Sequence, residues 1–138
     1  MSDNTELPSA ITQGATSRGN EYSWSIDSFP AALAQAEALG YAGLGGQFQF
    51  RLSDSTCEMY WLSADSKDRL PGESWADYSQ RSCAEVLQRF QQLISTTDFK
   101  KEALGWRLQI DPAKYLVFVG YFVTEADLAD LSKRRSAL

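Results

Sequence analysis

Phe48, Phe50 and Leu52 alternate with Gln47, Gln49 and Arg51, and a second run of alternating apolar and polar residues follows at Thr56 to Ala64. A period of two is the spacing of a strand with one buried face. The stretch Gly40 to Ala64 therefore predicts a β-hairpin. With its turn centred on Asp54 and Ser55, as a two- or four-residue loop, Leu52 faces Cys57, Phe50 faces Met59 and Phe48 faces Trp61. The apolar partners then share one side, while Arg51 meets Glu58 and Gln49 meets Tyr60 on the other.

The same pattern divides the rest of the chain. Tyr22, Trp24 and Ile26 alternate with serines, giving a first strand. Asp27 or Ser28 then caps a helix from Pro30 to Ala36, which Gly40 ends in the left-handed conformation. The glycines at 40, 43, 45 and 46 follow a helix and open a strand, the reverse of a phosphate loop, so they read as a helix stop plus a bulge or close backbone approach. Ser63 to Asp77 is a polar loop with a Pro71-Gly72 turn. Ser74 and Asp77 form a capping pair before the longest helical pattern, in which Trp75, Tyr78, Ser82, Cys83, Val86, Leu87, Phe90, Leu93 and Ile94 make one stripe. This helix is expected to cross the sheet.

A short helix capped by Thr97 should end at Gly105. Trp106, Leu108 and Ile110 then alternate with polar residues, Asp111-Pro112 breaks the run, and Tyr115 to Val123 follows, which reads as a second hairpin. Both faces of that last strand are apolar, so it belongs at the centre of a sheet, covered on both sides. Thr124 and Asp127 cap a final helix whose basic end, Lys133 to Arg135, complements the helix dipole. The fold class is α+β: a mostly antiparallel sheet of about five strands, two hairpins and an N-terminal strand, against a long amphipathic helix and shorter ones. Residues 1–20, rich in Ser, Thr, Asn and Gly, are expected to lack structure, leaving a single domain over 21–138.

Composition narrows the function classes. A chain of 138 residues with 43% hydrophobic residues can bury a core without a metal or a disulfide. Its longest apolar run, nine residues, is too short to cross a bilayer as a helix, and the N-terminus has no signal-peptide pattern, so a cytoplasmic location without membrane contact is expected. Cys57 and Cys83 read as two buried thiols. The chain has no histidine, which excludes Ser-His-Asp and Cys-His chemistry and makes a zinc site unexpected. No motif marks a carboxylate pair as catalytic, so the protein is read as a non-enzyme with no cofactor and no metal.

Charge is the most informative quantity. Between Glu21 and Asp77 there are nine acids against three bases, whereas residues 78–138 carry seven acids and nine bases. An acidic surface repels nucleic-acid phosphates and steers a basic protein partner towards it. The candidate partner-binding residues are Asp54, Glu58, Tyr60, Asp65, Asp68, Glu73 and Asp77, with Tyr60 as an aromatic anchor among carboxylates. A small acidic domain built round G-G-Q-F-Q-F-R and C-E-M-Y-W-L resembles the immunity proteins that bacteria keep against their own contact-dependent or type VI secreted toxins. The resemblance implies a cytoplasmic inhibitor that occludes the active site of a cognate toxin. Two other readings compete: a small-molecule-binding domain or enzyme with a pocket lined by Trp24, Trp61 or Tyr121, and a non-catalytic adaptor.

Overall fold

The computed structural model describes residues 7–137, with side chains as far as Lys133. In chain order it contains α1 (Ser9–Thr12), β1 (Thr16–Arg18), β2 (Glu21–Ser25), α2 (Phe29–Ala38), β3 (Ala42–Arg51), β4 (Thr56–Asp65), α3 (Trp75–Thr96), α4 (Phe99–Gly105), α5 (Pro112–Tyr115), β5 (Leu116–Val123) and α6 (Glu125–Ala137). The strands form one antiparallel sheet in the order β1-β2-β5-β3-β4. This is the expected α+β class.

The hairpin β3–β4 forms, but its turn is centred on Ser53 and Asp54, where the Leu52 amide donates to the Ser55 carbonyl at 2.9 Å. Phe50 consequently pairs with Cys57 and Phe48 with Met59, two residues from the expected register. A shift of two preserves which face each side chain takes, so Phe48, Phe50, Cys57 and Met59 all remain in the core. Trp61 does not. Phe48 pairs with Met59 while its neighbour Gln47 pairs with Ser63, which leaves Tyr60, Trp61 and Leu62 as extra residues in a bulge.

The second hairpin lies elsewhere. Trp106 to Asp111 forms no strand; α5 follows directly, and β5 sits centrally between β2 and β3. The other hairpin is β1–β2, so the expectation of an unstructured segment up to residue 20 is corrected over residues 7–20, and Met1 to Glu6 lie outside the described residues. Burial explains the order: Ile11 is fully buried, and its carbonyl accepts from Trp24 Nε1 at 3.1 Å. The caps also differ slightly. Ser28 stands at the start of α2 without a side-chain cap bond, and Asp98, rather than Thr97, caps α4 by accepting from the Lys101 amide. Ser74 caps α3 as expected, its hydroxyl accepting from the Asp77 amide at 3.1 Å.

α2 and α3 cover one face of the sheet. Phe29 of α2 and Phe90 of α3 meet Phe118 of β5 at ring-centroid distances of 4.4 and 5.1 Å, and Phe90 stacks on Phe48. Burial of such large rings is the dominant favourable contribution to folding. A smaller cluster of Ala42, Tyr78 and Val123 joins the starts of β3 and α3 to Leu128 of α6.

The opposite face carries Arg18, Glu21, Ser23, Gln47, Gln49, Arg51, Glu58, Val117, Val119 and Tyr121, by alternation and pairing. β5 was expected to be covered on both sides; here Tyr121 is 41% exposed. This face is nonetheless concave. Four strand spacings of about 4.8 Å would hold the two edges of a flat sheet about 19 Å apart. Arg18 of β1 spans them: its guanidinium donates to Thr56 Oγ1 at 2.6 Å and to the Leu52 carbonyl at 3.1 Å. The sheet therefore curls towards a barrel, and the curl buries Ser23, Gln49 and Val119 on a face where polar residues predominate.

Candidate protein-binding surface

The bulge in β4 is the most unusual feature of the surface. Three extra residues between adjacent pairing positions push Tyr60 and Trp61 outwards, 73% and 47% exposed, while Leu62 returns to the core. Tyr60 stands edge-on to Trp61 with centroids 5.2 Å apart. Trp61 stacks on Trp106 at 6.2 Å and donates from Nε1 to Glu102 Oε1 at 3.1 Å. An exposed aromatic row thus runs from the sheet edge to the end of α4, with the Glu102 carboxylate bonded to Trp61, Asp65 sharing a depression with Tyr60, and Glu58 two residues before Tyr60 on β4.

Trp106 is held there by an uncommon helix end. The Arg107 amide bonds the Leu104 carbonyl and the Leu108 amide bonds the Ala103 carbonyl, the pattern of a Schellman motif. The residue after the cap is then left-handed, a position usually filled by glycine, yet it is Arg107, with φ of 61°. Gly105 is the last residue of the helix, as expected, and the left-handed position falls two residues later at Arg107.

Of the seven residues singled out from the sequence, Glu58, Tyr60 and Asp65 come together on β4, and Asp54 lies at the hairpin turn. Asp68, Glu73 and Asp77 belong to a separate region, the loop before α3 and its first turn. Glu73 is not free to meet a partner. Arg81 grips both of its oxygens at 2.8 Å, and the Leu70 amide donates to Oε1 at 3.0 Å. Hydrogen bonding to Arg81, then to Leu70, holds the Glu73 carboxyl down at about 2. Arg81 also reaches Glu85 and the carbonyls of Lys67 and Asp68, so one side chain fastens the acidic loop to α3. Arg69 extends the fastening to α6 through Glu125 at 2.9 Å and lies over the Trp75 ring.

The acidity of the first half is therefore not a uniform surface. At one end of the concave face Arg18 and Arg51 stand close enough that Arg18, after burial itself, lowers the Arg51 pKa. Arg51 Nε donates to Gln49 Oε1 at 3.3 Å, and Gln49 Nε2 donates to Glu58 Oε1 at 3.4 Å. Tyr121 donates to Glu21 Oε2 at 2.5 Å, and burial together with that carboxylate raises its pKa.

At the other end the face opens into a depression of about 440 Å³ lined by Leu44, Gly45, Gly46, Gln47, Tyr60, Ser63, Asp65 and Tyr121. Of the residues considered for an aromatic pocket, Tyr121 lines it, Trp61 stands outside it, and Trp24 is fully buried in the core. Both cysteines are buried and free, and burial pushes the Cys83 thiol up to about 11, far from reactive. Among the described residues no group of three His, Cys, Asp or Glu side chains is placed to hold a metal ion, and no helix is long and apolar enough to cross a membrane.

The signal for Tyr60 was legible as a polar-face aromatic beside Glu58. Trp61, Trp106 and Glu102 were not, because the bulge and the helix end that unite them are long-range features. No protein-family model, curated protein or solved structure matches the chain.

Proposed function

We propose that this chain is a protein-binding module that takes a basic partner on the bulged edge of its sheet. The observation that carries the reading is the exposed row Tyr60, Trp61 and Trp106, with Glu102 bonded to Trp61 and Asp65 sharing a depression with Tyr60. Aromatic side chains of this kind are the usual anchors of an interface, supplying most of the affinity, while a carboxylate rim supplies steering and selects cationic partners. The rings are already in contact with one another, so little rotamer freedom remains to be lost on binding. The service that suits the surface is occlusion: covering a basic substrate-binding region of a secreted toxin, in the manner of a cytoplasmic immunity protein. Asp54, Glu58 and Asp65 take the role of the acidic face; Glu73 supports the loop instead.

Capture of a single basic protein by the wild type, with loss of capture by Tyr60→Ala/Trp61→Ala and retention by Asp77→Asn, is the expected result. Losing two anchors should weaken affinity by about 30-fold or more. The association rate should also fall steeply with added salt. Equal affinity of the double variant, or an on-rate that ignores salt, refutes the proposal.

A further inference from the structure

We infer that the depression between Tyr60 and Tyr121 is a receptor for one side-chain cation, the ammonium of a lysine or the guanidinium of an arginine, presented by the partner. This deepens the reading of the β4 edge as a protein-binding surface and rests on it.

The floor of the depression is made of backbone. Gly45 sits at the irregularity where β3 shifts register against β5, with φ of +121°, and a Cβ there would collide with the Ala64 carbonyl and lie 2.5 Å from Asp65 Oδ1. A Cβ on Gly46 would be driven into the Val119 carbonyl. Glycine at both positions is thus required by the sheet; at Gly45, which pairs with Tyr121 and Asp65, the consequence is an open floor with the Asp65 carboxylate beside it, whereas Gly46 lets β3 and β5 approach on the core side.

The walls are two tyrosine rings fixed in advance. The Tyr121 hydroxyl is taken up by Glu21, and Tyr60 rests edge-on against Trp61. The Asp65 side chain makes no hydrogen bond or ion pair among the described residues, its backbone being paired with Gly45 in the sheet. The arginines of this face, Arg18 and Arg51, are turned to Thr56, Leu52 and Gln49.

An anion would meet an uncompensated carboxylate. An apolar group would strip water from Asp65 and return no hydrogen bond. A cation gains from both, from the negative faces of the rings and from a charge-assisted bond to the carboxylate.

The probe is the isolated side chain. N-acetyl-arginine amide and N-acetyl-lysine amide are titrated into the full chain and followed by amide NMR, with N-acetyl-citrulline amide as the uncharged shape control. Saturable shifts at Gly45, Gly46, Ser63 and Asp65 are expected, with affinity in the millimolar range, and Asp65→Asn should weaken the arginine probe by about tenfold. Citrulline moving the same amides equally, or no saturable shift from either cation, overturns the inference. The two proposals separate on the partner itself. Capture lost by Trp61→Ala but unchanged by Asp65→Asn leaves the interface standing and removes the receptor. Loss by both supports the two together.

Discussion

Gly43 and Gly46 lie three residues apart in β3, and alanine should be tolerated at the first and strongly destabilising at the second. A methyl group on Gly46 would be driven into the Val119 carbonyl oxygen and would lie 2.8 Å from Phe118 Cε2 and from the Val119 carbonyl carbon. The obstacle is backbone at the middle of the sheet, where Gly46 pairs with Gly120 of β5 on one side and with Ala64 of β4 on the other. Relief requires β3 and β5 to part locally. Overpacking of this kind costs about 1–3 kcal/mol, and two ladder hydrogen bonds lost with it about 1 kcal/mol each, so Gly46→Ala should destabilise by about 3–5 kcal/mol. At about 4 °C per kcal/mol for a domain of this size, the melting temperature should fall by about 12–20 °C. A methyl on Gly43 meets Cys83 Sγ at 3.4 Å and Leu33 Cδ2 at 3.5 Å, which are ordinary contacts. Gly43→Ala should stay within about 1 kcal/mol of the wild type, since the entropy removed from the unfolded chain offsets slight crowding. Urea unfolding of both variants, with m-values compared, measures the difference. Equal stabilities would refute the close approach of β3 and β5 at the centre of the sheet.

Three further outcomes follow from local geometry. Arg107→Gly should stabilise by about 0.5–1 kcal/mol in denaturant melts, because glycine takes the left-handed position without strain; a loss of stability would mean that the Arg107 side chain carries an interaction of its own. Trp24→Phe leaves the buried Ile11 carbonyl without its donor and should cost about 2–3 kcal/mol, with faster proteolysis between residues 12 and 20 as the local readout. Glu73 has its folded pKa lowered from 4.5 to about 2, so its contribution is complete above pH 4.5 and disappears as pH falls towards 2. The Leu70 amide resonance should follow that low titration; a midpoint near 4.5 would mean that Arg81 does not hold Glu73 in solution.

The sequence was most readable where a short-range period carried the structure. Phe48 and Phe50 announced their face of β3, and the stripe through Cys83, Val86 and Phe90 announced α3, because neighbours along an element share its geometry. The register of the hairpin differs by two residues from the one alternation predicts because Ser53 and Asp54 turn the chain as well as Asp54 and Ser55 would, and both choices keep the same face buried. Trp106, Leu108 and Ile110 imitated a strand, yet the Schellman end of α4 sets their spacing, with Leu108 and Ile110 half-buried from a loop. β1 offered no apolar signal, since all three of its residues are exposed and its order comes from pairing with β2. The surface gathered on Tyr60 drew on both kinds of information. Its residue types were visible in the chain, but the bulge that turns Trp61 outwards depends on how β4 meets β3.

The bridge from Arg18 to Thr56 and Leu52 has a consequence for self-association. Strand borders with unpaired amides and carbonyls invite pairing with other chains, and a sheet that curls until its first and last strands are latched by one guanidinium offers little such template near that latch. Replacement of Arg18 by a short side chain would unfasten the curl and present two borders at once, so resistance to edge pairing in this sheet hangs on a single cation.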